Sequence, residues 1–197
     1  MGGPHENLEH AEHAQHASGS NKKIALLISV LALFLAFSEM LGKSAQTEGI
    51  GENVAASNLW AFFQAKTIRI TVLNAAAERL QLETATTSDP ATRAQLEKAI
   101  ERWKATAARY EDEPSTGEGR QQLSARAKEA EKKRETALAR YHHYEVASAA
   151  YQIGIVLASA EVITAMAALG WAAGLLGVAG LVFTGIGLWA PHAVHLL

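Results

Sequence analysis

The residues best suited to chemistry stand near the start of the chain, in the stretch EHAEHAQH at residues 9–16. His10, His13 and His16 follow one another at intervals of three, and glutamates lie between them. Imidazole nitrogens are common ligands of zinc, nickel and copper, so these histidines are a candidate metal site. Steps of three residues drift by about 60° around a helix, which weakens the match to one metal-binding face. The alternative is a polar arm that is solvated or binds a partner.

Two carboxylates lie inside apolar runs. An ionised carboxylate is costly in lipid, so Glu161 must be protonated, hydrated or paired. The apolar runs contain no lysine or arginine that would pair with it. Glu161 is therefore either a neutral acid bonded to a neighbouring helix or a proton- or ion-handling group in an oligomeric pore. Glu39 is expected near the membrane surface. Lys43 follows four residues later and is a candidate partner for it.

No motif of a known catalytic mechanism accompanies these residues. The chain has no cysteine, which excludes disulfides and a thiolate nucleophile. It also lacks a phosphate-binding loop, a GxSxG motif and a dinucleotide fingerprint. The formal net charge of −2 offers no electrostatic basis for nucleic-acid binding. We therefore expect a protein that is not an enzyme, uses no cofactor, binds no nucleic acid and has no identifiable small-molecule substrate.

The elements that must position these residues are dominated by two apolar tracts. Residues 24–42 carry Glu39 as their one charge, and as a helix they would measure about 28 Å, close to the thickness of the hydrocarbon layer. A signal peptide is the alternative, but the apolar stretch is too long and no convincing cleavage site follows it. Residues 146–190 carry Glu161 alone. They are long enough for two spans joined by a turn near Leu169–Ala172.

The predicted chain is therefore an all-α integral membrane protein with three transmembrane helices, one N-terminal and two in a C-terminal hairpin. An extramembrane helical, coiled-coil region separates them, since nothing in the sequence alternates with a period of two. The predicted order is an arm at 1–21, a span at 22–42, the central region at 43–145, spans at 146–168 and 171–190, and a tail at 191–197.

Glycines mark one face of the last predicted span. Gly170, Gly174 and Gly177 lie on one side of a helix, and GWAAG at residues 170–174 is a literal GxxxG motif. In lipid, small residues let two helix backbones approach closely. Two partners are open for this face: the preceding helix of the same hairpin, or a second copy of the chain.

The central region contains three predicted helices, at about 53–86, 90–112 and 120–145. Asp89 and Pro90 form a strong helix start signal, and EGIGEN at residues 48–53 is expected to be a flexible hinge. Three helices joined by two full reversals would end pointing away from the membrane. We therefore predict that the second and third helices form an antiparallel hairpin and that the first helix is not joined to them by a simple reversal. Domain exchange between protomers would also let the central region end pointing toward the membrane.

Aromatic residues favour contact with the membrane surface. Trp60, Phe62 and Phe63 suit a helix lying partly in the interface, and the alternative is that they form the core of the helical bundle. Four further rings stand at predicted ends of the later spans, where interfacial aromatic residues are expected; they are Tyr141, Tyr144, Trp171 and Trp189.

Two long blocks of sequence carry a resemblance to a known family. They are NKKIALLISVLALFLAFSEMLGKSAQTE, which follows the histidine-rich arm, and NLWAFFQAKTIR. In these blocks, and in its order of features over nearly the whole chain, the sequence resembles a bacterial family catalogued as a domain of unknown function, DUF4337. The resemblance implies a bacterial membrane protein. It brings no activity and no catalytic residues.

The sequence thus favours a non-enzymatic, multi-pass protein of the bacterial inner membrane that contacts lipid and self-associates or scaffolds a membrane complex. One alternative is an oligomeric channel or ion-conducting protein that uses Glu161. Another is an accessory subunit of a respiratory or photosynthetic complex, with the histidine arm contacting a partner. The side on which the central region lies is open, because Lys22 and Lys23 compete with basic residues of that region.

Overall fold

The computed structural model describes the backbone of residues 4–194 and the side chains of residues 22–194. Within these bounds it contains four helices and no strand: α1 (Pro4–Thr86), α2 (Pro90–Glu111), α3 (Arg120–Thr164) and α4 (Ala167–Trp189). The all-α prediction is confirmed. Three of the helices, α1, α3 and α4, are long and apolar enough to cross a membrane.

The chain divides into two compact units. The apolar unit consists of Met1–Glu48 and Thr136–Leu197, and the charged unit consists of Gly49–Glu135. The helices α1 and α3 contribute residues to both units, α2 belongs to the charged unit, and α4 belongs to the apolar unit. Each unit is therefore built around α1 and α3, with one further helix of its own.

α1 continues without a break through residues 48–53, so the segment predicted as a flexible hinge is helical; the boundary between the two units also falls there, between Glu48 and Gly49. A glycine in a helix interior costs only about 1 kcal/mol relative to alanine. Tertiary packing outweighs that cost, because Ala45 and Ala56 are buried on either side of the segment. A side-chain contact adds to this, since the Arg134 guanidinium donates a hydrogen bond to Asn53 Oδ1 at 3.1 Å. Glycine content alone therefore does not end a helix that is packed along its length.

α2 begins where its capping residues predict. The Asp89 carboxylate accepts hydrogen bonds from the backbone N–H groups of Ala91 (3.4 Å) and Thr92 (2.9 Å), and Pro90 occupies the first helical position. These groups satisfy backbone donors that the first turn leaves free. The pKa of the Asp89 carboxyl lies below its usual value, chiefly because the Thr92 hydroxyl donates to it.

α2 and α3 run in the same direction in the charged unit, and both are antiparallel to α1. Contacts along the chain meet α1 at steadily earlier residues: Tyr110 lies under Lys66 (4.6 Å to the ring), Glu131 accepts from Trp60 (2.8 Å) and Arg134 contacts Asn53 (3.1 Å). The predicted antiparallel hairpin of the second and third helices is therefore wrong. The part of α1 in this unit is about 57 Å long, which is long enough for α2 and the start of α3 to lie against it in succession.

The segment between α2 and α3 is a local offset and not a reversal. Arg120 bridges back to the Glu111 carboxylate with two contacts of 2.8 Å, and Gln122 donates to Asp112 Oδ1 at 2.5 Å. Gly117 supplies a left-handed backbone conformation, with φ of 69°, which glycine adopts without steric cost. The central region thus contains one reversal, at residues 87–89, and α3 returns antiparallel to α1. With a single reversal the chain runs back along α1, so domain exchange between protomers is not needed to explain its return.

The apolar unit is centred on Leu31, Ala147 and Tyr151, whose side chains are almost completely buried. Phe34 stacks on the Tyr151 ring with centroids 6.1 Å apart. Outside this core, large apolar side chains such as Leu26 (66% exposed) point outward. A small shared core and an apolar outer surface are the pattern expected of helices that face lipid.

α3 and α4 are joined at Ala165–Met166, so the turn predicted near Leu169–Ala172 is misplaced by about one turn of helix. Ala165 takes a left-handed conformation, with φ of 53°, and its N–H donates to the Glu161 carbonyl at 2.8 Å. The Met166 N–H is within 3.4 Å of the Thr164 hydroxyl oxygen, which accepts from it. These local bonds satisfy backbone N–H groups where α3 ends and α4 begins, without a glycine. The junction therefore carries none of the residues that usually mark a turn.

Candidate functional site

Small residues on α4 form a continuous line toward the rest of the apolar unit. Their spacing alternates between three and four residues, which keeps them on one side of the helix. We call this line the inner seam; it consists of Gly170, Ala173, Gly177, Gly180, Thr184 and Gly187. Four of its members are buried, namely Ala173, Gly177, Gly180 and Gly187.

Large side chains of the same chain fill the inner seam. A β-carbon at position 180 would stand 2.5 Å from Cε1 of Tyr151, and one at position 187 would stand 2.8 Å from Cε1 of Tyr144. At position 177 it would stand 2.7 Å from Cδ2 of Leu31. A side chain at any of these positions would force the facing ring or methyl group to shift, so these glycines favour close packing of α4 on α3 and α1.

The predicted glycine face is therefore only partly the one the structure uses. Gly170 and Gly177 contact Glu161 and Leu31 of the same chain, whereas Gly174 has no atom within 4 Å of the position its β-carbon would take. Of the two partners left open for this face, the structure places the preceding helix and α1 against it. Gly180 and Gly187 were not predicted from the sequence, because a motif of two glycines four residues apart does not detect a line with alternating spacing.

Glu161 is the most buried carboxylate among the described residues, with 9% of its surface exposed. It lies three residues before the end of α3, and its carboxyl group packs directly on Gly170 of α4. Its Oε2 atom is buried and has no hydrogen-bond partner among residues 22–194. An unpartnered buried carboxylate oxygen is costly, so this position stands out among the helix contacts of the apolar unit.

Polar contacts join α1 to α3 in the apolar unit. The buried Ser38 hydroxyl donates to the Tyr144 carbonyl at 2.9 Å, and Gln152 donates to Glu39 Oε1 at 3.3 Å. Lys43, four residues after Glu39, was a candidate partner for it, and the bond that the structure shows is the one with Gln152. Bonds between helices of this kind are worth about 0.6 kcal/mol on average in lipid, so they orient the helices more than they stabilise them.

His143 lies buried where α3 meets the C-terminal end of α4. Its Nε2–H donates to the Pro191 carbonyl at 3.0 Å, and its ring stacks on Phe183. Its Nδ1 has no partner among the described side chains. The ring is 1% exposed, so His143 belongs to the packed interior, where sequence analysis had placed an anchoring aromatic belt at Tyr141 and Tyr144.

The remaining predicted interfacial aromatic residues occupy different environments. Tyr144 is buried against Gly187, and Tyr141 is half-buried. Trp171 and Trp189 are 77% and 84% exposed near the two ends of α4, and their position at a membrane interface stays a prediction.

In the charged unit, the predicted aromatic residues are divided between the interior and the surface. Trp60 donates to Glu131 Oε1 and packs edge-on against Phe63, with centroids 5.3 Å apart. Arg120 lies 5.6 Å from the Phe63 ring centroid. Phe62 is 63% exposed. Two of the three rings therefore make bundle contacts, which was the alternative to a helix lying in the interface.

The candidate metal ligands His10, His13 and His16 lie outside the residues whose side chains the structure describes. Among residues 22–194, no group of three or more histidine, aspartate or glutamate side chains is placed to hold a metal ion. The described residues instead form contacts between helices, and Glu161 is the one buried carboxylate among these residues.

These contacts define an all-helical protein whose three membrane-length helices are joined by a line of small residues. The chain belongs to the family described as a domain of unknown function, DUF4337, whose model matches residues 20–190. No curated protein and no solved structure matches the chain.

Proposed function

We propose that this protein is a non-enzymatic, multi-pass protein of the bacterial inner membrane that self-associates or holds together a larger membrane complex. Membership of the family and three helices long and apolar enough to cross a bilayer support the membrane location. The outward-pointing apolar side chains of the apolar unit, such as Leu33 and Leu175, are then in contact with lipid.

The observation that carries the proposal is exposed apolar surface on the charged unit. Val54, Phe62, Ile68, Val72 and Leu82 of α1 are each more than half exposed. Contiguous apolar surface on a water-facing unit marks a site of protein contact. The inner seam of α4 is already occupied by side chains of the same chain, so the surface left for a partner protein lies on α1.

The mass of the purified protein in detergent and in lipid nanodiscs tests this proposal. We expect a discrete homo-oligomer by light scattering, or a stable complex with foreign chains identified by mass spectrometry. The first result supports self-association, and the second supports a scaffold or accessory subunit. A monomer with no accompanying chain in both media, at all concentrations tested, would contradict the proposal.

A second candidate function is conduction of protons or cations, and the buried, unpartnered Oε2 atom of Glu161 favours it. In an oligomer, a carboxyl group at this position would exchange a proton or bind a cation along a path between helices. The carboxylate is needed for that role, whereas a structural acid needs only its shape and hydrogen-bonding capacity.

Glu161→Gln separates the two roles of this residue. If Glu161 conducts, we expect the proton or potassium flux of reconstituted liposomes to fall at least tenfold while the helical content stays unchanged. Glu129→Gln is a suitable control, because it removes the same charge from an exposed position of α3 in the charged unit. Unchanged flux in the Glu161→Gln variant, or no flux above empty liposomes in the native protein, would end the conduction hypothesis.

A further inference from the structure

A second line of residues runs along the exposed side of α1 in the charged unit. We call it the outer seam, and its members again alternate at spacings of three and four: Gly51, Val54, Asn58, Ala61, Ala65, Ile68, Val72, Ala75, Arg79 and Leu82. All ten are exposed, and eight of them are apolar or glycine. The line is about 46 Å long.

The outer seam is not part of the internal packing of the unit. Ala56 and Ala77, which face the interior, are 3% and 1% exposed. Ile68 and Ala77 are nine residues apart, which is two and a half turns of helix, so they point in opposite directions. α1 therefore carries two packing faces, and the chain itself covers one of them.

The outer seam has the pattern of a two-stranded coiled coil. With Asn58 at position a of a heptad, the other a positions are Gly51, Ala65, Val72 and Arg79. The d positions are Val54, Ala61, Ile68, Ala75 and Leu82, all of them apolar. Phe62, which is 63% exposed, falls at the flanking e position. A single asparagine at an a position is the feature that sets register and strand number in parallel dimers.

We infer that the outer seam binds the outer seam of a second copy of this chain, in parallel and in register. In a parallel pair, each a residue faces the same a residue, so the Asn58 amide can both donate to and accept from its counterpart. In an antiparallel pair, a residues face d residues. Asn58 and Arg79 would then face apolar side chains, which leaves both polar groups without a partner.

In a parallel, in-register pair the two Arg79 guanidinium groups face each other, so the layer needs carboxylates beside them. Arg79 at position a lies beside the g position of a parallel partner, where Glu78 stands, and Glu83 occupies the next e position. None of these three side chains forms an ion pair within residues 22–194. A second copy thus supplies carboxylates beside each Arg79. An unrelated apolar helix would leave Asn58 and Arg79 unpaired, and a membrane surface would favour basic flanks in place of Glu78 and Glu83.

This inference rests on the proposed self-association, and cysteine cross-linking tests its surface and register. The chain has no natural cysteine, so Ala65→Cys and Ala75→Cys each introduce a single thiol. On mild oxidation in native membranes, we expect each variant to form a disulfide-linked dimer. The neighbouring variant Asn74→Cys is an exposed control that lies off the seam, and its dimer yield should be at least tenfold lower.

Mixing differently tagged Ala65→Cys and Ala75→Cys chains tests the direction of the helices. A parallel, in-register pair yields the two homodimers and little heterodimer, whereas a prominent 65–75 heterodimer indicates an antiparallel pair and overturns the inference. The double variant Ile68→Glu/Val72→Glu should lower the oligomer fraction at least tenfold while circular dichroism stays unchanged.

The outcomes separate this inference from the proposal on which it rests. An oligomer whose mass is insensitive to Ile68→Glu/Val72→Glu, and in which seam and control cysteines cross-link equally, overturns the outer seam and leaves self-association standing. A native protein that is monomeric in detergent and in membranes overturns both.

Discussion

Replacing Gly180 with alanine is expected to destabilise the protein by about 1–3 kcal/mol, because the added methyl group overlaps the Tyr151 ring. The overlap is with buried atoms at 2.5 and 2.6 Å. Tyr151 is completely buried, so its ring cannot swing out into solvent without further rearrangement. Either α4 shifts away from α3 along the inner seam, or the ring leaves its favoured rotamer. Unfolding in mixed micelles with increasing SDS, followed by circular dichroism, measures the change in free energy of unfolding.

Gly174→Ala provides the matched control on the same helix. No atom lies within 4 Å of the position its β-carbon would take, and alanine favours a helix over glycine by about 1 kcal/mol. We therefore expect this variant to be as stable as the native protein or slightly more so. Equal losses in Gly174→Ala and Gly180→Ala would show that the inner seam does not set the packing of α4.

Tyr151→Ala is expected to cost about 3–5 kcal/mol, the range for removing a buried aromatic side chain. The Tyr151 ring fills the space over Gly180 and stacks on Phe34. Its hydroxyl donates to the Thr184 oxygen (3.3 Å), while the Thr184 hydroxyl donates to the Gly180 carbonyl (2.8 Å). The variant leaves a cavity where α1, α3 and α4 meet, and surrounding side chains close it only in part.

Tyr151→Phe separates the ring from the hydroxyl. It keeps the packing and removes one hydrogen bond, so we expect a loss of about 0.5–1.5 kcal/mol in the same SDS titration. The prediction is that the ring accounts for most of the effect. A Tyr151→Phe variant that loses as much stability as Tyr151→Ala would assign the effect to the hydroxyl and contradict the packing argument.

Helix formation was predictable where local chemistry decides it. The start of α2 follows from Asp89 and Pro90, whose capping interactions involve residues at most three positions away. The two apolar tracts are equally local, since hydrocarbon-length runs without charge need no knowledge of a partner. The unbroken helix at residues 48–53 was not predicted for the opposite reason, because contacts made there, such as Asn53 with Arg134, come from residues distant in sequence.

The role of each helix face was not predictable from periodicity. The heptad of α1 that includes Val54, Ile68 and Val72 is evident in the sequence, yet the structure places these residues on the exposed side. The face of α1 that packs on the rest of the charged unit contains Trp60 and Phe63. From the sequence, these rings suited either a membrane interface or the core of the helical bundle. Periodicity identifies that a face is apolar, but it does not identify which partner covers the face.

What the sequence determined by itself is the class of the protein: helical throughout its described part, with three helices of membrane length and α2 starting at a capped residue. These properties depend on composition, run length and capping, which act within a few residues. The tertiary structure alone decided that α2 and α3 run in the same direction, that Gly180 and Gly187 receive tyrosines of α3, and that Glu161 rests on Gly170. Each of those is a choice among partners remote in the chain, and such choices depend on how whole helices fit together.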